Sequence, residues 1–320
     1  MLPVRSAANP ILSRQDIPDV PPELVDVSSV FNPGAVMRLG RCMLMLRVQT
    51  RGRETFFLMA ESDDGVRFEV ERRVVHIRGM DRVNGAVYHC YDARITRLED
   101  AYYAMFAMDT DFGCRLGLAR TEDFVTFDFV GMSGGDDTRN GVLFPERIDG
   151  CYLRLERPNK LRFESGVTSG DEIMLSTSED LIDWRPAGSV MRGRLHYWDE
   201  LIGPGPPPVK THEGWLLIYH GIATHGSAGI YQAGVALLDL RNPSNLVARG
   251  RNNVLEPRDM YEMTGQVPNV VFPTGLIIER YDAEGYADPA GEARIYYGAA
   301  DTCVCLATCT VGDLLAACRD

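Results

Sequence analysis

The sequence predicts an all-β chain folded as a five-bladed β-propeller. Three observations predict it: a recurring phrase, its spacing, and the alternating character of its strands. The phrase runs FLMAESDDGVRF from Phe57 to Phe68, LGLARTEDFVTF from Leu116 to Phe127 and IMLSTSEDLIDW from Ile173 to Trp184. Looser copies follow as GVALLDLRNPSNL from Gly234 to Leu246 and VCLATCTVGDLL from Val304 to Leu315. Aligned on Asp64, Asp123, Asp180, Pro243 and Asp313, they recur about every 60 residues, the mark of an array of supersecondary units. Each copy is an apolar strand with small residues, a polar turn, and an aromatic or leucine that packs back. Such strands with Gly- and Asp-rich turns make each unit a small antiparallel sheet, and five sheets close into a ring. One Ser/Thr-x-Asp phrase alone would be ordinary turn chemistry.

Bulk properties narrow the class. The whole chain, residues 1–320, is expected to form one propeller domain with an N-terminal arm of about 25 residues. A formal net charge of -12 argues against a nucleic-acid binder held by phosphate contacts. There is no signal-like apolar start and no run long enough to span a bilayer, which predicts a cytoplasmic protein with no membrane partner. The eight cysteines are scattered without metal-type pairing. Cys303 and Cys305 share a strand face as small apolar residues. No zinc spacing and no calcium loop occurs, so neither a metal nor any other cofactor is expected.

Taken in order, Met1 to Pro22 reads as an extended arm. The final strand is expected to close the ring against this segment. Phe31-Asn32-Pro33-Gly34-Ala35 reads as a turn at a strand entrance. Arg47 sits in an apolar strand (MLMLRVQ), where a guanidinium is costly without an anionic partner. Asp92 and Arg94 stand two residues apart on one strand face, a pair suited either to structure or to handling a proton and an anion. Gly134 to Gly141 reads as a loop. Arg139, Arg147, Arg154 and Arg157 then cluster in sequence, and arginines bind phosphate through paired donors. The Pro- and Gly-rich run Gly203 to Pro208 reads as a loop across the mouth of the ring. Tyr197 and Trp198 before it suit either sugar stacking or core cover. Glu279 to Glu292 reads as a polar hairpin tip.

Several of these segments, in this order, resemble one family. They are Phe31 to Ala35, Arg47, Tyr91 to Thr96, Leu143 to Arg147, Leu155 to Pro158, Gly205 to Lys210, Trp215 to Gly221 and Tyr296 to Thr302. Together they are similar to glycoside hydrolase family 130, the β-mannoside phosphorylases, over Asn9 to about Leu315. The resemblance implies a five-bladed propeller with an axial site, in agreement with the repeat. It implies Asp92 as general acid, with Ala93 where the family usually has proline. It implies sugar contacts from Asn32, Arg47 and Asp301, and phosphate contacts from Arg157, Lys210 and His220; beside these, Arg94, next to Asp92, is expected to contact the sugar and Arg154, in the arginine cluster, the phosphate. Glu156 replaces the family's usual histidine before Arg157-Pro158. Tyr197, Trp198 and the loop at His225 are expected at the acceptor pocket.

The implied reaction is phosphorolysis. Phosphate attacks a terminal β-mannosyl residue and gives α-mannose 1-phosphate and a shortened acceptor sugar. A single displacement inverts the anomeric centre and needs one protein carboxyl group, because phosphate replaces a base-activated water. Two alternatives stand beside it: an inverting β-mannosidase, needing a second carboxylate, and a non-catalytic carbohydrate-binding propeller. The partners expected are a β-mannoside oligosaccharide, phosphate and, as an open possibility, further copies of the chain in a homo-oligomer.

Overall fold

The computed structural model describes residues 2–135, 137–162, 168–224 and 229–320. It is 56% strand and 6% helix, with five sheets arranged in a ring. The first blade orders strands Val27–Arg38, Arg41–Thr50, Thr55–Ser62 and Glu69–Val74 from the axis outward. The second uses Val87–Leu98, Ala101–Thr110, Gly113–Thr121 and Phe127–Met132, with Ile77–Arg78 on its outer edge. The third uses Thr138–Leu143, Tyr152–Pro158, Glu172–Ser178 and Arg185–Arg192. The fourth uses Leu201–Pro204, Gly214–Ala223, Ile230–Leu238 and Leu246–Arg249. The fifth uses Val271–Ile278, Glu292–Ala299 and Cys303–Thr310, and its outermost strand is Val4–Arg5 from the start of the chain.

The ring is thus closed by the N-terminal arm, as the sequence predicts. Val4 pairs with Thr308 and Arg5 with Ala307. The pairing protects the outer edge of the last blade. Arg5 also donates to the fully buried Glu262 at 2.8 and 2.9 Å, and Tyr297 donates to the same carboxylate at 2.9 Å. Cys303 and Cys305 are both buried in the core of this blade beside Ile295 and Tyr297.

The recurring phrase marks the turn between the third and fourth strands of a blade. Asp64 Oδ1 accepts from the amides of Val66 and Arg67, and Ser62 Oγ accepts from Gly65. Asp123 and Thr121, then Asp180 and Ser178, repeat the arrangement. These donors hold the Asp64 carboxyl down at about 2. In the fourth blade the matching residue is Asp239, which caps Arg241 and Asn242, rather than Pro243. In the fifth, Thr310 and Asp313 instead form a capping box on helix Val311–Ala317.

Three expectations about irregular segments are corrected. Asn32-Pro33-Gly34 lies inside the innermost strand of the first blade as a register shift, not at a strand entrance. Leu201–Pro204 is the innermost strand of the fourth blade, pairing with Tyr219–Ile222, so the run does not cross the mouth. A strand at the edge of its sheet tolerates proline because only one side needs donors. Thr138–Gly141, expected as loop, begins the innermost strand of the third blade. Among the described residues, no helix is long and apolar enough to cross a membrane.

Candidate active site

The innermost strands carry a repeated defect. Pairing slips between Phe31 and Gly34, between Tyr91 and Arg94, between Arg139 and Val142, and between Pro273 and Gly275. Within the first three slips lie Asn32, Asp92 and Asn140, with φ of 47°, 56° and 57°. Asparagine and aspartate are the non-glycine residues that best tolerate this left-handed conformation. A bulge re-aims a side chain that strict alternation would turn into the inter-blade core. All three line one cavity of about 410 Å³. Asn32 fits because its neighbour is glycine: a Cβ on Gly298 would lie 2.0 Å from Asn32 Oδ1.

The bulge also corrects the reading of Asp92 and Arg94 as a carboxylate beside a guanidinium. Arg94 Nη1 donates to the Asp92 backbone carbonyl at 2.8 Å, not to its carboxylate. The carboxylate is served by others: Asn32 Nδ2 and Arg47 Nη1 both donate to Oδ1 at 2.9 Å. Arg47 is itself fixed against Phe31 and Tyr91, its guanidinium carbon 4.5 and 4.7 Å from their ring centres. Burial pushes the Asp92 carboxyl up, but Arg47, Arg94 and Asn32 together outweigh it and hold the group below its ordinary value. Asp301 enters the same cavity from the fifth blade, also left-handed at φ 51°. Burial, aided by Asp92 and opposed by Arg47, raises its carboxyl to about 6. The two carboxyl groups are therefore pushed apart in acidity.

Beside them lies a set of buried cations. Arg94 and Arg157 are 1% and 5% exposed. Arg94 Nη2, Arg157 Nε and Arg139 Nε make no hydrogen bond. Burial, helped by Arg157 acting on Arg94 and by Arg139 acting on Arg157, lowers both Arg94 and Arg157 to about 10. His220 packs against Phe272 at 4.5 Å between ring centres, and neither ring nitrogen makes a hydrogen bond of normal geometry. Burial, Arg157 and Arg94 depress His220 well below its ordinary value, against a small opposing effect of the Pro204 carbonyl. Gly203 allows this approach: a Cβ there would meet the His220 ring at 2.4 Å and Arg157 Cδ at 3.3 Å. Buried cations with unused donors are costly unless an anion completes them.

The structure brings together Asn32, Arg47, Asp92, Arg94, Arg157 and Asp301 on this cavity, with His220 behind it. Four expected residues lie elsewhere. Arg154 points to the opposite strand face from Arg157, pairs with Glu156 at 2.8 Å and covers Trp184. Strand alternation separates residues three apart onto opposite faces. Lys210 pairs with Glu146 at 2.8 Å and sits over Tyr286, beside a different pocket with Pro145, Pro207 and Pro208. Trp198 stacks on Tyr219 and donates to the Arg251 carbonyl at 2.9 Å, and Tyr197 packs under Arg194. Both therefore cover the buried Asp199 cluster of the fourth blade and not the cavity. His225 lies outside the described residues. The cavity is also lined by Arg139, which the sequence places in the arginine cluster, and by Asn140, Tyr231, His89 and Asp109, which sequence reasoning did not select. Among the described residues, no group of three His, Cys, Asp or Glu side chains is placed to hold a metal ion.

A β-1,4-mannooligosaccharide phosphorylase of Ruminococcus albus is 32% identical over 319 residues, covering 97% of this chain and 89% of the relative. A 4-O-β-D-mannosyl-D-glucose phosphorylase of Bacteroides fragilis is 28% identical, covering 99% of this chain and 83% of the relative. In fold, the chain matches a β-1,2-mannobiose phosphorylase of Listeria innocua with a TM-score of 0.84 at 24% identity, over 99% of each chain. The model of glycoside hydrolase family 130, described as beta-1,4-mannooligosaccharide phosphorylase, matches residues 5–320, and the chain belongs to that family of enzymes.

Proposed function

We propose that this enzyme is an inverting β-mannoside phosphorylase that releases α-mannose 1-phosphate and a shortened acceptor sugar. The observation that carries the reading is the group of incompletely bonded cations, buried Arg94 and Arg157 and half-buried Arg139, beside the Asp92 carboxyl. A phosphate dianion offers the oxygens these donors lack and offsets their mutual repulsion. Hydrolysis would ask Asp301 or Asp109, the other carboxylates on the cavity, to activate a water, but would leave the arginine donors unused, which favours phosphate. The relatives' names point the same way.

In this reading Asn32, Arg47 and Asp301 hold the mannosyl unit through its hydroxyls. Phosphate, oriented by the arginines, attacks the anomeric carbon while the bond to the leaving oxygen breaks. Asp92 supplies the proton that the leaving oxygen takes, passed through a sugar hydroxyl. Bound phosphate neutralises Arg94, one of the groups that hold Asp92 ionised, and so favours the protonated acid when the nucleophile is in place. The test is product analysis on β-1,4- and β-1,2-linked mannobiose and mannosyl-glucose, with and without phosphate. Mannose 1-phosphate formed only with phosphate supports the reading. Free mannose formed equally in both would replace it with hydrolysis.

A further inference from the structure

We infer that the leaving sugar carries a carboxylate, so that the substrate is a β-mannosyl hexuronate, and that Arg53, beside His89, is the cation that receives this group. The inference rests on the β-mannoside phosphorylase reading above and names the chemical class of its acceptor.

The charges lining the cavity carry it. The chain has a formal net charge of -12, yet the cavity is lined by Arg47, Arg53, Arg94, Arg139 and Arg157 against three aspartates. Four of these arginines have an anion in the reading above. Arg47 meets Asp92 at 2.9 Å, and Arg94, Arg157 and Arg139 turn to phosphate. Asp109, in register with His89, accepts from the Tyr91 hydroxyl at 2.8 Å and faces Arg139 at 3.8 Å. Arg53 is left over. Among the described residues, no ion pair or side-chain hydrogen bond engages its guanidinium or the His89 ring. Its neighbour Arg51, by contrast, donates to Asp26 at 2.7 Å.

Arg53 also occupies a position that disfavours it. It ends the hairpin Thr50-Arg51-Gly52-Arg53, which joins the second and third strands of the first blade, with φ of 68°. The matching hairpin of the second blade, Thr110-Asp111-Phe112-Gly113, has glycine at that left-handed position, with φ of 89°. An arginine is uncommon there, and such an outlier on a cavity wall points to function. The hairpin is well ordered. The Arg53 amide donates to the Thr50 carbonyl and the Thr50 amide to the Glu54 carbonyl, both at 3.0 Å. Thr55, which also lines the cavity, donates to the Cys90 carbonyl at 3.1 Å and so ties this hairpin to the strand that carries His89.

Position assigns this cation to the acceptor. Exposure rises outward along the wall: Asp92 and Gln49 are 8% exposed, His89 is half-buried and Arg53 is exposed. A terminal mannosyl unit seated at Asp92 is the innermost residue of its chain, so its leaving sugar lies on the outward side, with Arg53 and His89. A guanidinium presents paired donors that match a carboxylate. One guanidinium and one imidazole suit a monoanion, whereas a phosphate dianion already has Arg94, Arg157 and Arg139. A neutral hexose offers Arg53 hydroxyls but no charge. In the reaction phosphate bonds to the anomeric carbon, the bond to the leaving oxygen breaks, that oxygen takes the proton Asp92 supplies, and the free hexuronate departs.

The test runs the reaction in reverse, with α-mannose 1-phosphate as donor and phosphate release as the readout. The acceptors are glucuronate, galacturonate and mannuronate, the matching neutral hexoses, and glucose 6-phosphate. For at least one uronate, kcat/KM is expected to exceed that of its neutral hexose by about tenfold, through KM. Arg53→Gln should lower that uronate-to-hexose ratio about tenfold and Arg53→Lys should keep part of it, with melting temperature as the fold control. A wild type that uses neutral hexoses as well as uronates would overturn the inference, as would a ratio unchanged by Arg53→Gln. Preference for glucose 6-phosphate would overturn the hexuronate and give the subsite to a phosphate ester. A raised phosphate KM in Arg53→Gln, with the ratio intact, would assign Arg53 to the nucleophile instead. No phosphate release with any acceptor would refute the phosphorolytic reading alone. Calorimetric titration of β-mannosyl glucuronate and β-mannosyl glucose into Asp92→Asn, with and without Arg53→Gln, then decides the acceptor without turnover. Equal affinity for the two disaccharides in that titration overturns it.

Discussion

Arg47 Nη1 lies 2.9 Å from Asp92 Oδ1, with its guanidinium against the rings of Phe31 and Tyr91. The aromatic contacts leave the cation little freedom, so the carboxylate it meets is held both in position and in charge. Arg47 and Asn32 occupy one oxygen of Asp92 and leave the other for the substrate. Asp92→Asn keeps the shape and removes the proton. Turnover should fall by about 10²- to 10⁴-fold, with sugar binding by calorimetry retained. Near-normal turnover in this variant would remove Asp92 from the reaction.

Phosphate should stabilise the folded enzyme. The buried cations repel one another, and an anion that binds only the folded state adds about 2.7 kcal/mol at 100 times its dissociation constant. A scan in phosphate against one in chloride of equal ionic strength should show a melting temperature a few degrees higher. Arg157→Met should abolish that difference without lowering the melting temperature in chloride, because it removes an incompletely bonded buried charge. A phosphate effect that survives in this variant would place the anion elsewhere.

Asp301 gives a pH signature with a definite sign. Its carboxyl is raised from 3.8 to about 6, so the folded chain holds a proton there that the unfolded chain has lost. Its contribution to stability is present below about pH 4 and is lost as pH rises through about 6, at most about 3 kcal/mol. Asp301→Asn should therefore raise the melting temperature at pH 8 and leave it unchanged at pH 4. In the same variant kcat/KM should fall, because the residue is proposed to hold sugar. Identical pH–stability curves for the two proteins would show that the carboxyl is not raised.

Arg154 and Lys210 separate sequence proximity from spatial role. Lys210→Met should leave the phosphate KM unchanged, since the ammonium pairs with Glu146 away from the cavity. Arg154→Met should destabilise the fold by leaving the buried Glu156 uncompensated, again with an unchanged phosphate KM. A large rise in phosphate KM for Lys210→Met would restore it as a ligand.

Ring closure has its own test. Glu262→Ala takes the buried carboxylate from Arg5, leaving it Asp259 and the Glu256 carbonyl, and removes the acceptor for Tyr297. A loss of about 3–5 kcal/mol in denaturant unfolding is expected, with kcat/KM little changed below the transition. A loss under about 1 kcal/mol would mean that strand pairing alone closes the ring.

Legibility followed range. Ser62 with Asp64, Thr121 with Asp123 and Ser178 with Asp180 make bonds within three residues, so their turns could be read as local chemistry repeated. The fourth copy was misaligned to Pro243 because its capping residue, Asp239, precedes the proline by a turn. Asn32, Arg47, Asp92 and Asp301 were visible through ordered motifs. Asn140 and Tyr231 were not, since a single asparagine or tyrosine in a strand carries no signal until its backbone and neighbours are known.

The sequence by itself determined the repeat, the all-β class and the candidate carboxyl groups, because strand alternation and turn capping are set by neighbours along the chain. Only the tertiary structure decided which charges meet. Arg94 and Asp92 are two residues apart, yet a one-residue bulge turns the guanidinium to the carbonyl and gives the carboxylate to Arg47, 45 residues away. Arg154 and Arg157 are three apart, yet alternation sends one to Trp184 and the other to the axis. The anion pocket draws on three blades, and nothing local fixes that assembly. Its cause is closure of the ring, which brings distant innermost strands to a common axis and excludes the water that would otherwise solvate the cations.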